Sequence, residues 1–222
     1  MIEHALIMAA GRGLRMSPLT DAIPKPMAPF KGSTLIANGI SLLSRRISNI
    51  HITVGYKGAM LAQHVIEHGA TSIFNTEGKG NSWWLFNTFL KYLDEPLYVL
   101  TCDNVVLLDF DRIDDDYKTL GCPTCMVVPV RPVAGLEGDF IFHENGYVTR
   151  LTRDEPSGIY CSGIQVLNPK RVNESIDPAD TFDIVWDQLI VKRELMTSSV
   201  YPEQWFAVDT IDQLAQVNRS LI

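Results

Sequence analysis

Five apolar residues, Ala5-Leu6-Ile7-Met8-Ala9, run without a break into Ala10-Gly11-Arg12-Gly13. A short apolar run closed by glycines predicts a buried strand ending in a tight turn. Glycine lets a backbone approach a ligand closely and adopt positive φ. Backbone N–H groups turned inward make a concave anion site. Arg12, Arg15 and Lys25 follow closely and add fixed positive charge. The combination predicts a loop that holds a polyphosphate. The backbone from Ala9 through Ala10, Gly11 and Arg12 to Gly13 is the candidate cradle.

The next hundred residues alternate between two periodicities. Leu35–Ile47 has apolar residues at helical spacing and follows Gly32-Ser33-Thr34, a plausible cap. Ile50–Val54 reads as a strand, Gly58–His68 as a helix, Thr71–Asn75 as a strand, and Ser82–Leu93 as a helix. Leu97–Thr101 reads as a further strand and ends in Cys102-Asp103-Asn104. Such alternation implies parallel βαβ units and a doubly wound, Rossmann-like sheet of the α/β class. In sheets of that kind ligands lie beyond the carboxyl ends of the strands. The glycine loop, Asn75–Asn81 and Asp103 all follow strand ends, so they are expected to converge on one crevice.

The second half changes character. Cys125–Val130, Asp139–His143, Tyr147–Thr152 and Tyr160–Leu167 read as short strands with turn signals such as Glu144-Asn145-Gly146. They predict a mixed or antiparallel lobe, with closing helices at Phe182–Lys192 and Ile211–Ser220. With no evident linker, residues 1–222 are read as one domain. Its nucleotide-binding half runs to about residue 130, and an acceptor-binding, closing half follows.

A dinucleotide fingerprint would need a third glycine where Met16 stands, and a P-loop would need Gly-Lys-Ser/Thr, which does not occur. The full string from Ala9 through Arg15 to Pro18-Leu19-Thr20, followed by Pro24-Lys25-Pro26-Met27, resembles another signature. It is that of the nucleotidyltransferases that activate sugar 1-phosphates and related small phosphates, a superfamily that includes choline-phosphate cytidylyltransferases. The resemblance implies transfer of a nucleoside monophosphate from a nucleoside triphosphate to a small phosphorylated acceptor, with release of pyrophosphate. A sugar 1-phosphate is the leading acceptor, and the Ala-Ala-Gly opening leans towards a pyrimidine base. The alternatives are a choline-phosphate-type cytidylyltransferase and a catalytically silent nucleotide-binding regulatory homologue.

That chemistry needs neutralised triphosphate charge, in-line geometry and a stabilised leaving group, and no covalent nucleophile. Arg15 and Lys25 are the candidate clamps. Asp103 follows an apolar strand, where a carboxylate can reach a metal. Asp209 lies in Trp205-Phe206-Ala207-Val208-Asp209-Thr210, at another strand end; from position alone a helix N-cap is the alternative reading. By resemblance, the family places one magnesium ion (Mg2+) between two such aspartates, which gives Asp103 and Asp209 as the metal pair. Arg15, Lys25 and Asp103 become the catalytic set.

By the same resemblance, the loop at Gly80 and Asn81 would contact the nucleotide. Gly138, Glu155, Ser162 and Gly163 would face a sugar phosphate. Trp83 and Trp84 replace small residues of the sugar-phosphate relatives, and core or lid packing is the favoured reading for at least one of them. A cationic acceptor would instead sit against an aromatic such as Trp84, and the late Trp186-Asp187 pair is likewise similar to that branch. The lysine of the family's Glu-Lys-Pro element is absent, since Asp154-Glu155-Pro156 stands there, and Arg153 is the candidate substitute.

The formal net charge of −7 argues against nucleic acid as a partner. No apolar run is long enough to span a bilayer, and the start lacks a signal peptide's basic and apolar regions. A cytoplasmic protein is the expectation, with the oligomeric state, homo-oligomer included, left open. Cys122 and Cys125 form a Cys-x-x-Cys, but no second ligand pair has zinc spacing, so buried or strand-end thiols are the simpler reading. His64 and His68 read as an exposed helix face and Asp114–Asp116 as a solvated acidic turn.

Overall fold

The structure is a computed structural model; it describes residues 1–133, 135, 136 and 138–220. By its internal contacts the chain groups into two units. One contains Glu3–Lys79, Leu100–Val105 and the chain from Phe206 on; the other contains Met1–Ile2, Gly80–Val99 and Val106–Trp205.

The first unit carries the expected βαβ pattern. The strand His4–Met8 pairs parallel with Asn49–Val54, which pairs parallel with Ser72–Asn75. The helices Leu35–Ser44 and Gly58–Glu67 are the crossovers. Parallel strands cannot be joined by a hairpin, so each return needs a helix. Thr34 caps the first helix by accepting from the Ala37 N–H at 3.2 Å, within the predicted cap. An apolar cluster joins Met16, Ala28, Phe30 and Leu35 to Val105, Val208, Leu214 and Val217. It ties the segment after the glycine turn to the C-terminal helix Ile211–Ser220.

The other unit is built on antiparallel pairing. Tyr160–Leu167 pairs antiparallel with Cys125–Val130 and, through Gln165–Leu167, with Leu97–Val99. Leu195–Thr197 adds parallel to Cys125–Val130, followed antiparallel by Tyr147–Thr152 and then Phe140–Glu144. Phe140 also pairs with Tyr160, so these strands curl back on themselves. The turn at Asn145-Gly146 has both residues at positive φ, as a tight hairpin requires.

Three expectations are corrected here. Ser82–Leu93 is not one helix: Trp83–Asn87 is helical, Thr88 is extended, and Phe89–Tyr92 is a 3₁₀ turn. The Thr88 hydroxyl donates to the Trp84 carbonyl and accepts from the Leu90 N–H, competing with the helix ladder. Asp114–Asp116 is not a solvated turn but part of a helix, Phe110–Thr119. Asp114 is only 2% exposed, and accepts from the Tyr98 hydroxyl at 2.7 Å and the Ile2 N–H at 3.1 Å. Asp116 accepts from both hydroxyls and one N–H of Ser198-Ser199. The third correction adds elements the sequence reading lacked: the strands Asn104–Leu107 and Gln204–Ala207, which pair with each other, and the helix Pro169–Ser175.

Candidate active site

The predicted phosphate loop is held open by its neighbours in the first unit. The Ala9 N–H donates to the Thr53 hydroxyl at 3.0 Å, and the Ala10 carbonyl accepts from the Tyr56 N–H at 3.1 Å. Gly11 stays exposed, with nothing within 4 Å of where a Cβ would stand. The Arg12 guanidinium lies 5.2 Å from the centre of the Tyr56 ring. Thr20 closes the loop by donating to the Gly13 carbonyl at 3.1 Å. Gly13 has φ +66°, and a Cβ on it would stand 2.6 Å from Lys25 Cβ. Glycine at that position is thus required twice, by the backbone angle and by the lysine stem packed over the loop.

Lys25 begins a 3₁₀ turn between two prolines and is only 8% exposed. Its Nζ lies 2.6 Å from Asp103 Oδ2 and 2.8 Å from Asp209 Oδ1. Arg15 reaches the same Asp209 oxygen at 2.9 Å. Residues far apart in sequence therefore meet at one point. Burial alone would lower the Lys25 pKa, but the Asp103 charge and the hydrogen bonds to both aspartates outweigh it, and the net shift is upward. Lys25 is accordingly an ammonium at neutral pH.

The local sequence explains how each carboxylate is aimed. The Cys102 N–H donates to the Met8 carbonyl, and the Asp103 carbonyl accepts from Val208 N–H, so both aspartates are carried on adjoining chain segments. The alternative for Asp209 was a helix N-cap. Thr210 takes that role: its hydroxyl accepts from the Gln213 N–H at 3.2 Å. Gln213 in return accepts from the N–H groups of Thr210 and Asp209. This reciprocal pair is a capping box, and it leaves the Asp209 carboxylate for the cations.

Two hard oxygen donors converging on one cation also suit magnesium, which takes one or two carboxylates and completes its shell with water and phosphate. Among the described residues no group of three or more His, Cys, Asp or Glu gathers as a self-sufficient metal cage.

The second unit holds the other predicted residues, and several serve the fold. Gly80 lies so close to Asp180 that a Cβ would stand 1.9 Å from its carbonyl oxygen. Asn81 accepts from the Phe182 N–H at 2.9 Å, at the start of the helix Phe182–Val191. Gly138 faces the Tyr160 ring, with a virtual Cβ 2.1 Å from Tyr160 Cδ2. Glu155 is exposed and paired with Arg150. Gly163 has φ +80° where the strand register shifts.

Ser162 is 2% exposed; its hydroxyl donates to the Val128 carbonyl and accepts from Ile164 N–H, so its side chain faces inward. Trp84, 1% exposed, packs in the core near Phe182, the packing favoured for at least one of the two tryptophans. Arg153, the candidate substitute for the missing lysine, is paired with Asp139 at 2.8 Å. Trp186 donates to Gln165.

Of the Cys-x-x-Cys, Cys125 is buried at the start of its strand, where burial raises the thiol, and Cys122 is half-buried just before that strand. His64 contacts the Thr34 hydroxyl and His68 the His64 carbonyl, so this pair is engaged locally.

Sequence missed two of the contacts that fix the loop, Thr53 and Tyr56; their positions within and just after the end of the strand Asn49–Val54 were the only signal. It also missed Gln213, although Thr210-x-x-Gln213 before an apolar run is a readable capping signature.

Residues 4–152 match the family model for nucleotidyl transferases, so the chain belongs to the nucleotidyl transferase family. It is 25% identical to glucose-1-phosphate adenylyltransferase 2 of Vibrio parahaemolyticus, over 98% of this chain and 66% of that protein. It is 30% identical to the mannose-1-phosphate guanyltransferase of Debaryomyces hansenii, over 52% of this chain and 34% of that one. The chain thus spans at most about two thirds of the length of these relatives. Among solved structures it resembles the CTP:phosphocholine cytidylyltransferase of Streptococcus pneumoniae, with TM-score 0.78, 20% identity and 98% of each chain covered. It also resembles the inositol-1-phosphate CTP transferase of T. maritima, with TM-score 0.77, 12% identity, and 100% and 98% covered. At those identities the likeness establishes the fold, that of a mixed α/β nucleotidyltransferase. No described helix is long and apolar enough to cross a membrane.

Proposed function

We propose that the chain is a nucleotidyltransferase that moves a nucleoside monophosphate from a nucleoside triphosphate to a small phosphorylated acceptor and releases pyrophosphate. The observation that carries this reading is the convergence of Lys25, Arg15, Asp103 and Asp209 beside the anchored glycine loop. The family match supports it. The relatives named as acting on sugar 1-phosphates favour a sugar 1-phosphate as acceptor. A pyrimidine triphosphate, CTP or UTP/dTTP, is the proposed donor by resemblance of the Ala9-Ala10-Gly11 opening.

In this reading the loop backbone from Ala9 to Gly13 and the Arg12 side chain hold the triphosphate. Arg15 engages two phosphate oxygens with its planar fork, which an ammonium cannot do. Lys25, charged and held rigid between its prolines, offsets the charge that develops on the transferred phosphoryl group. Asp103 and Asp209 would hold magnesium, which would withdraw charge from the α-phosphate and keep it aligned for in-line attack. The acceptor already carries its nucleophilic phosphate oxygen, so no general base is needed. A catalytically silent homologue would have no need to keep all four charged residues together.

Pyrophosphate release is the test, measured with each nucleoside triphosphate against a panel of sugar 1-phosphates and other phosphorylated acceptors. Magnesium-dependent release that falls sharply in Lys25→Ala supports the reading. No release with any pair, from a folded protein, defeats it.

A further inference from the structure

Before any ligand arrives, the charges beside the glycine loop balance one another. Lys25 Nζ stands between the two carboxylates, 2.6 Å from Asp103 Oδ2 and 2.8 Å from Asp209 Oδ1. Arg15 lies 2.9 Å from the same Asp209 oxygen. An ammonium thus bridges the carboxylates where the proposed magnesium would bridge them, and the two cannot share those oxygens. Magnesium needs its oxygen ligands at about 2.1 Å, with several waters around it. A dication so placed would meet Lys25 as a like charge at close range, where repulsion is strong and little screened. The other oxygens of the pair, Asp103 Oδ1 and Asp209 Oδ2, would put it on the same carboxylates and against the same ammonium. Lys25 has little freedom to step aside. It is 8% exposed, prolines flank it, and its stem packs on Gly13.

We infer that Lys25 and Arg15 are resident counter-ions of Asp103 and Asp209, which oppose a divalent cation until a polyphosphate draws them off. The inference rests on the reading above that the two aspartates take the metal. Two positive and two negative side chains balance, so a dication alone would leave the cluster strongly positive, with Arg12 adding to it from the same loop. A polyphosphate changes both sides of that balance. Its oxygens accept from the ammonium and from the guanidinium fork, and its charge offsets the dication. Metal and polyphosphate then raise each other's affinity by the same factor, as linkage requires. Removing the lysine's positive charge should therefore tighten the binding of metal alone, and not that of metal with polyphosphate.

Manganese, a cation that accepts the same carboxylate and water ligands, is the probe on the full chain. Electron paramagnetic resonance reads free manganese during titration without nucleotide. Lys25→Met keeps the stem on Gly13 and removes the charge; it should bind manganese roughly tenfold more tightly than wild type. Arg15→Gln, at a side chain 59% exposed, should gain about threefold, and it decides the matter if Lys25→Met does not fold. With inorganic triphosphate present, solvent-proton relaxation separates protein-bound manganese triphosphate from the free chelate. There the order should reverse, because wild type keeps the lysine that the triphosphate engages. Adding Asp209→Ala to Lys25→Met should abolish the gain. No gain in folded Lys25→Met, or in Arg15→Gln where that variant decides, overturns the inference, as does tighter binding of manganese triphosphate by Lys25→Met. The reading of the two aspartates survives those results if pyrophosphate release still needs Asp209. A gain that persists without Asp209 defeats the inference and that reading together.

Discussion

Lowering the pH should destabilise the first unit through one buried histidine. His51 is 3% exposed, on the strand Asn49–Val54. Its Nδ1 is 2.6 Å from the Ser72 hydroxyl, its Nε2 is 3.1 Å from His4 Nδ1, and the two imidazoles stack with centroids 5.4 Å apart. Burial, and then the neighbouring His4, lower its pKa from 6.5 to about 4. The sign follows from the group being a base: the folded chain binds its proton less tightly than the unfolded chain. Its contribution is fully present above the unfolded pKa of about 6.5 and is lost as the pH falls towards 4. One pKa unit corresponds to about 1.4 kcal/mol, so the whole span is worth up to about 3 kcal/mol. Urea unfolding of wild type and His51→Gln between pH 7.5 and 4.5 measures it. The variant should be less stable at pH 7.5, because it loses the stacked pair, and the difference should shrink by about 2–3 kcal/mol towards pH 4.5. Carboxylates that titrate in the same window are common to both proteins and cancel. Parallel stability curves would refute the reasoning, because they would mean that His51 gains its proton in the folded state as easily as in the unfolded one.

Four further outcomes are expected. Lys25→Ala should keep the fold and reduce pyrophosphate release by about 10²–10³-fold, the scale of a lost preorganised electrostatic contact; near-normal kinetics would contradict its role. Arg15→Lys retains charge but loses the planar fork, and should cost about tenfold or more in kcat/KM, read from steady-state kinetics. Asp209→Ala should abolish metal-dependent turnover while calorimetry still detects nucleotide binding, since the glycine loop and Arg12 remain. Gly80→Ala places a Cβ 1.9 Å from the Asp180 carbonyl oxygen, and backbone on both sides leaves no flexible group to yield. It should cost about 1–3 kcal/mol in urea unfolding.

The strands were legible because buried strands are written as apolar runs. Leu97–Thr101, Cys125–Val130, Tyr147–Thr152 and Tyr160–Leu167 have the boundaries the sequence predicted. The helix Phe110–Thr119 was hidden by composition. Its Asp114-Asp115-Asp116 run reads as solvent-facing, yet Phe110, Ile113, Asp114 and Tyr117 form one buried stripe at helical spacing. A buried aspartate is a tertiary fact: Asp114 is buried because the Tyr98 hydroxyl and the Ile2 N–H meet it, and neither is local in sequence. The strands Asn104–Leu107 and Gln204–Ala207 are short, and each depends on the other for pairing. Trp84 is the buried one of the two tryptophans, for at least one of which core packing was favoured, but composition could not say which face of the short helix turns inward.

The charged cluster was more legible than the acceptor side, for a physical reason. Charges that act on a polyphosphate must sit on rigid, glycine- and proline-marked turns or at strand ends, and those leave local signatures in sequence. Lys25 between two prolines and Asp103 after Leu97–Thr101 are readable one segment at a time. Asp209 was ambiguous only while its neighbours were ignored. A carboxylate one residue before a helix can either cap that helix or serve a ligand, and it cannot do both fully. Thr210 and Gln213 take the cap, because their reciprocal hydrogen bonds satisfy the helix's first donors without the Asp209 carboxylate. The consequence is testable apart from catalysis. Gln213→Ala removes the acceptor of two N–H groups, including that of Asp209 itself, and frees the carboxylate to turn back onto the helix. It should cost about 1 kcal/mol in stability, as lost caps do. It should also weaken pyrophosphate release. Thr210→Ser, which keeps the hydroxyl, should preserve both. If Gln213→Ala loses the stability but keeps full turnover, the capping box serves only the helix, and the aim of Asp209 is set by Lys25 and Arg15 alone.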